Sequence, residues 1–320
     1  MEKMRFIQAL ENKSLLDIQN IPKSDLHSHS GRGGNISYIE NMLNVKMARL
    51  TEPLNSVQEM DKWLNDNVKC HFPDKIGWIQ RKAAAFAQAK ADNISVLAMS
   101  DSVAEVYWLS RVDIFIAMMD GLHNAFAPKT KFLPDLFLCE PNDLYKLDEI
   151  FNANWFTGID INNYANIMSM DDMKAMSRKA HKHNLIVKAH IGEFGGADDV
   201  MRYAEELELD QIQHGIAAVE SPQIMSWLAK HKVQLNVCPA SNILLNNTKS
   251  YATHQIRKLY DYGIPVTINT DDLLIFNATV SQEYMNLYEA GLMAADELNI
   301  IRETGLMSAK IRRKNNANER

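Results

Sequence analysis

Cysteine is scarce in this chain. Among 320 residues there are three, Cys70, Cys139 and Cys238, far apart and odd in number. No disulfide framework can be built on them, and with no Cys-x-x-Cys pair the thiolate zinc and redox motifs are excluded as well. Long apolar runs are also missing: nothing approaches the ~18 residues of a membrane span. The opening Met1-Glu-Lys-Met-Arg-Phe6 lacks the apolar segment of a secretory leader, so a soluble, cytoplasmic protein is expected. Positive charge is short too. Lys and Arg number 34 against 40 Asp and Glu, leaving a formal net charge of −6. Duplex binding leans on phosphate neutralisation, so nucleic acid is not an expected partner. The one basic run, Lys310-Ile-Arg-Arg-Lys-Asn-Asn, reads as a solvated helix end. No Pro/Gly/Ser-rich linker and no internal repeat divides the chain, and a single domain over residues 1–320 is expected, with a barrel core over about 20–300.

What the chain has in quantity is short apolar runs, each followed by an amphipathic stretch. Strands are expected near Ser24–His27, Ile94–Met99, Phe132–Leu138, Phe156–Ile161, Ile186–His190, Gln211–His214, Gln234–Val237 and Val266–Asn269. Helical patterns fill the intervals. Ile79–Ala91 is rich in strong helix formers. Met170–His181 follows Ser169 as N-cap, with acids in its first turn. Pro222–Lys230 follows Ser221, with proline at the first helical position. Eight strand–helix units in this length predict a (β/α)8 TIM barrel. Extra helices are expected between the first two strands, where residues 35–78 form a long mixed segment able to cover a site.

Polar residues gather at the C-terminal ends of five of those strands, the face where such barrels carry their active sites. His27 and His29 lie two apart, on one face of a strand. His190, Asp160, His214 and the pair Asp271–Asp272 end four other strands. Each alone has a structural explanation, as a buried histidine, a turn residue or a helix cap; together they point to one metal-assisted site. His181-Lys-His183 repeats the His-x-His spacing at the end of a helical pattern. There the two imidazoles project about 200° apart and cannot share an ion. His71 and His123 have no supporting neighbours and are read as structural.

These motifs, in this order, resemble the adenosine deaminase family of metal-dependent amidohydrolases. The family's Pro-Lys-x-Glu-Leu-His-x-His reads here Pro22-Lys-Ser-Asp25-Leu-His27-Ser-His29. Its His-Ala-Gly-Glu reads His190-Ile-Gly192-Glu193, and its Gly-His-Gly reads Gln213-His214-Gly215. Its Cys-Pro-x-Ser-Asn reads Cys238-Pro-Ala-Ser241-Asn242, and its Asn-Thr-Asp-Asp-Pro-x-x-Phe reads Asn269-Thr-Asp271-Asp272-Leu-Leu-Ile-Phe276. The resemblance implies one Zn2+ per chain on His27, His29, His190 and Asp271. It implies catalytic roles for Glu193 as proton donor to a purine ring nitrogen, His214 as base or electrostatic partner, and Asp271. Candidate substrate contacts are Asp272, Asn163, Asp160 and Gly31.

The implied activity is hydrolytic deamination of a small-molecule 6-aminopurine, adenosine or a related nucleoside or base. The alternatives are an aminohydrolase of another heterocycle, such as a pterin or an N6-substituted purine nucleotide, or a catalytically silent binding homologue. No lysine follows Asp160 that could bridge two metals in the manner of binuclear amidohydrolases. No Pro-Cys-x-x-Cys is present either, which excludes the other zinc deaminase architecture.

The chain departs from the family at the sugar end. Where family members place Leu-Asp after His-x-His, this sequence has Ser30-Gly31-Arg32-Gly33-Gly34. Arg32 between glycines suits either an anion cradle or a mobile turn. Met60, Trp63 and Leu64 suit either a cover over the base or ordinary core. Oligomeric state has no sequence signature.

Overall fold

The computed structural model describes residues 1–72 and 74–308, so the basic run from Lys310 lies outside the described residues. Eight parallel strands follow one another round a single sheet: β1 Lys23–His29, β2 Ile94–Ser102, β3 Lys131–Leu138, β4 Gly158–Ile161, β5 Ile186–Ile191, β6 Gln211–His214, β7 Gln234–Val237 and β8 Val266–Ile268. Each pairs with the next in sequence. Just past β8, a parallel bridge from Ser28 to Asp271 brings the last strand back to the first. The Asp271 N–H donates to the His27 carbonyl at 2.8 Å, so the closure itself fixes Asp271 beside the His27–His29 pair.

The alternation along the strands explains why the ring holds. Val187, Ala189, Ile212, Leu235, Val237, Val266 and Ile268 join the main apolar core shared with the surrounding helices. Their neighbours in sequence are polar and bond to one another. The Asn236 amide donates to Gln211 Oε1 and Gln213 Oε1 at 2.9 and 2.8 Å, and Thr267 Oγ1 donates to Asn236 Oδ1 at 2.8 Å. Asn269 Nδ2 continues the chain to Thr267 Oγ1 at 3.0 Å. Buried polar groups that pair in this way avoid the desolvation cost of lone ones, and the network fixes strand register beneath the site.

The helices follow their local signals. Ser169 and Asp172 form a capping box at the start of the helix Met170–Lys182, and Ser221 caps Pro222–His231. His183 is the C-cap of the first of these, so His181-Lys-His183 ends a helix as the sequence implies. Among the described residues of 35–78 are two α-helices, Ile36–Leu43 and Val57–Asn67, and a 3-10 turn, Lys69–His71, before the long helix Lys75–Ala91. They bury Ile36, Ile39, Met60 and Leu64 in a second apolar cluster with Leu274, Ile275 and Phe276, which follow β8. The Leu54 N–H donates to the Leu244 carbonyl at 2.7 Å and ties this cover to the segment after β7. Among the described residues no helix is long and apolar enough to cross a membrane.

Candidate active site

Strand ends deliver the histidines. The β1–β2 register breaks between Asp25 and Ser28, so β1 is not a regular alternation. Leu26 enters a small apolar cluster with Val96 and Ala98, while His27 and His29 converge on one carboxylate oxygen. His27 Nε2 lies 3.6 Å from Asp271 Oδ1, and His29 Nε2 lies 3.3 Å from the same atom. His190, from β5, brings its Nε2 to 3.0 Å from His27 Nε2.

The outer nitrogens decide what the inner ones present. His190 Nδ1 faces Asp160 Oδ1 at 2.9 Å and His27 Nδ1 faces the Asn236 carbonyl at 3.3 Å. Both partners only accept, so each Nδ1 carries the proton and each Nε2 turns a lone pair inward. Two lone pairs 3.0 Å apart repel unless a cation lies between them. His214 is arranged the other way. Its Nδ1 faces the Asn242 amide nitrogen at 3.2 Å, which leaves the proton on Nε2. That Nε2 is buried without a hydrogen-bond partner, 3.5 Å from Glu193 Oε2 and 3.9 Å from Asp271 Oδ2.

Ligand atoms of His27, His190, His214 and Asp271 all lie within 4.8 Å of one another, and His29 groups in the same manner with Asp271 and Asp272. The structure therefore brings together a His/Asp cluster able to hold a metal ion. The donor chemistry fits one: neutral imidazole lone pairs and a carboxylate are standard ligands for a divalent transition metal. Charge balance agrees. Burial opposes a charge on His29, yet Asp272 and then Asp271 outweigh it and raise its pKa to about 9. The paired carboxylates thus call for a positive charge at this point. His27, pushed down by burial and by its histidine neighbours, does not supply it.

Two backbone features aim the groups. His214 and Asp271 adopt positive φ, 65° and 56°, a region non-glycine residues enter at a cost and one that clusters at functional sites. Gly192, φ 69°, turns the chain from His190 to Glu193; a Cβ there would come within 2.5 Å of Val200 Cγ2. Glu193 is buried, and its Oε2 accepts from the Tyr164 hydroxyl at 2.6 Å. Burial first, and then the negative charge of Asp271, raise its carboxyl to about 8, so it holds a proton at neutral pH. Ser241 Oγ donates to Asp271 Oδ2 at 2.7 Å and lies 3.4 Å from Glu193 Oε1.

These groups open on a cavity of about 790 Å³ lined by His29, His190, Glu193, His214, Asp271 and Asp272. Gly31 and Met60 also line it. Trp63 and Leu64 do not; they pack in the second apolar cluster. The remaining two sequence candidates lie elsewhere. Asp160 sits beneath His190, also accepting from Gln213 Nε2 at 3.2 Å, and is not at the cavity wall. The Asn163 side chain folds back on its own loop, bonding the Ile167 and Met168 N–H groups and the Met168 carbonyl, while Asn162, Tyr164 and Ala165 face the cavity. Arg32 is pinned: Nη1 donates to Asp272 Oδ2 at 2.9 Å and Nη2 to Asp61 Oδ1 at 3.2 Å.

Sequence reasoning passed over Tyr164, Ser241, Asn242 and Ser100, which faces His29 Nδ1 at 2.8 Å. Ser241 and Asn242 lay within a quoted motif and were findable there. Tyr164 and Ser100 had no local signal.

A parallel eight-stranded barrel with a His/Asp cluster and a buried glutamate at its C-terminal rim has the active-site face of a TIM-barrel enzyme. The family model for adenosine deaminase matches residues 142–318, more than half of the chain. The chain belongs to the adenosine deaminase family and is a hydrolytic deaminase of aminopurines. It is 26% identical over 286 residues to "Putative adenosine/adenine deaminase" of Treponema pallidum, spanning 88% of this chain and 96% of that protein. Its fold matches the adenine deaminase of Arthrobacter aurescens with a TM-score of 0.75 at 18% identity, over 90% of this chain and 93% of the other. It matches Arabidopsis ADAL complexed with IMP with a TM-score of 0.73 at 14% identity, over 90% and 91%.

Proposed function

We propose that His27, His29, His190 and Asp271 hold one zinc ion, and that Glu193, His214 and Asp271 carry the deamination of a 6-aminopurine to its 6-oxo product and ammonia. The observation that carries this reading is the convergence of His27 and His29 Nε2 on Asp271 Oδ1, with His190 Nε2 3.0 Å from His27 Nε2 and a protonated Glu193 beside them. His29 rather than His214 completes the ligand set, because His214 presents an N–H inward and His27 and His190 present lone pairs. Zinc so held supplies Lewis acidity and lowers the pKa of water toward about 7, making hydroxide available near neutral pH.

The chain's own groups do the rest. His214 Nε2 and Asp271 Oδ2 face one another across 3.9 Å, so the His214 N–H is placed to donate to the attacking water and orient it, and the Asp271 carboxylate to receive its proton. Glu193 delivers its proton to a ring nitrogen and makes C6 electrophilic; the Tyr164 hydroxyl holds the carboxyl in place from behind. Asp272, buried with Oδ1 unpartnered, is the group available to read the five-membered ring edge, and Arg32 fixes its other oxygen. Gly31, at the wall, contacts the substituent on that ring. Asp160 acts through His190, and Asn163 by shaping the loop that carries Tyr164.

Adenosine and adenine, the substrates named for the Treponema relative, are the first to assay. Zinc-loaded protein is expected to release ammonia from at least one 6-aminopurine among the free base, the nucleoside and the nucleotide. Absence of ammonia from all three would overturn the reading.

A further inference from the structure

The cavity wall away from the metal cluster carries more cation than its carboxylates can serve. Arg32, Lys69 and Arg81 all line it, with Asp61 and Glu105 the acids beside them. Glu105 is committed elsewhere. Its Oε1 accepts from Trp78 Nε1 at 2.9 Å and from Lys82 Nζ at 3.3 Å, and its Oε2 accepts from the Ser102 N–H at 3.2 Å. Asp61 faces Arg32 and is 47% exposed, so water screens it. Arg81 is only 6% exposed; it gives Nη1 to the Gly31 carbonyl at 2.6 Å and leaves its buried Nε–H without an acceptor. The Lys69 side chain makes no hydrogen bond or ion pair among the described residues, and burial, then Arg32, then Arg81 work against its charge. A buried donor without an acceptor and an unpaired ammonium crowded by two guanidiniums are costly arrangements for a free protein.

We propose that Lys69 and Arg81, with the Gly31–Arg32 loop, form a subsite for an oxyanion carried on the substrate's sugar-side substituent, so that the preferred substrate is an anionic 6-aminopurine nucleoside such as a 5′-phosphomonoester. This rests on the deaminase reading above and names the substrate class of that same site. An oxyanion here accepts from the Lys69 ammonium and offsets the repulsion that Arg32 and Arg81 place on it; charge-assisted bonds of this kind are the strong ones. Gly31 brings backbone to the cavity wall, and the hydrogen bond from Arg81 to its carbonyl holds the loop in place.

Steady-state ammonia release from metal-loaded protein decides it, with adenosine, adenosine 5′-monophosphate and adenosine 5′-carboxylic acid as substrates. The monophosphate is expected to exceed adenosine in kcat/KM by about tenfold or more. Activity on the 5′-carboxylic acid comparable to that on the monophosphate would make carboxylate the recognised oxyanion; a monophosphate advantage alone would assign phosphate. Lys69→Gln is expected to lower the monophosphate-to-nucleoside ratio about tenfold, and Lys69→Arg to restore most of it. A fold defect lowers both rates and leaves that ratio unmoved. Titration calorimetry with inosine and inosine 5′-monophosphate reads the subsite without turnover. Equal affinity for the two, or equal kcat/KM for nucleoside and monophosphate, overturns the subsite while leaving deamination intact. Absence of any turnover overturns the deaminase reading, and the calorimetry then still decides the subsite.

Discussion

His190 Nδ1 lies 2.9 Å from Asp160 Oδ1, and the pair is almost wholly buried. The carboxylate is itself held by Gln213 Nε2, which belongs to the polar network inside the barrel. The protonation of a candidate metal ligand is thus set by groups that never reach the cavity. His190 and its neighbours draw the Asp160 carboxyl well below its usual range in spite of burial, so the acceptor stays charged.

Asp160→Asn tests this coupling. An amide in that place can present a donor to His190 Nδ1 and disfavour the tautomer that turns a lone pair inward. Partners behind a ligand histidine are typically worth about 10–100-fold in metal affinity. Competition against a chromophoric chelator is expected to show a loss of that size, with circular dichroism unchanged. Unaltered affinity would show that Asp160 does not orient His190.

Glu193→Gln separates proton transfer from metal binding. The amide fills the same space but has no acid proton, so kcat is expected to fall about 10²–10⁴-fold while metal content by elemental analysis stays near one per chain. The pH profile adds a sign. Glu193 serves as the donor in its protonated form, and its carboxyl is raised to about 8, so parent activity is expected to decline as pH rises through that value. The residual activity of the variant should lack that limb. Loss of metal along with activity would instead assign Glu193 a structural part in the cluster.

Removal of the metal is expected to cost stability as well as activity. Three imidazoles and two carboxylates converge in a buried space, and a ligand that binds only the folded chain adds RT ln(1 + [L]/Kd), about 2.7 kcal/mol at a hundredfold excess over Kd. Chelator-treated protein should therefore melt lower than zinc-loaded protein. Added zinc should return Tm in a concentration-dependent way, and Asp271→Ala should abolish that dependence.

The barrel was legible because its strands recur as short segments of apolar or alternating residues separated by helical patterns, and all eight lie where those segments predict. The ends differ by a few residues. β2 runs on through Ser100, Asp101 and Ser102, polar residues paired by neighbours the sequence does not show; Asp101 for instance bonds Ser30 and Lys82. The metal-facing residues were legible because a barrel sends the C-terminal ends of its strands to one place. What stayed hidden is pairing between distant segments. Asp160 could be seen to end a strand, but whether it met substrate or His190 depended on β5 lying next to β4 with Ile159 opposite Val187. Arg32 could be read as cradle or mobile turn until Asp272, 240 positions away, was seen to hold it. Asn163 is turned by local hydrogen bonds that compete with any outward role.

A last prediction lies at the edge of the site. Glu283 is buried, with Oε1 accepting the Ala240 N–H at 2.8 Å and Oε2 the Tyr251 hydroxyl at 2.9 Å, next to the segment that carries Ser241 and Asn242. Burial outweighs those hydrogen bonds and raises its carboxyl to about 8. The unfolded chain releases this proton near pH 4.3, the ordinary glutamate value. Between about 4.3 and 8 the folded state therefore binds more proton than the unfolded state, and stability falls as pH rises across that window. Above 8 the full penalty of a buried charge is present. Glu283→Gln carries no such proton, so its stability should change less with pH. Urea midpoints at pH 6 and pH 9 check this: the parent midpoint should fall more steeply than that of the variant, which should gain on the parent at pH 9. Parallel slopes for the two proteins would remove Glu283 as the source.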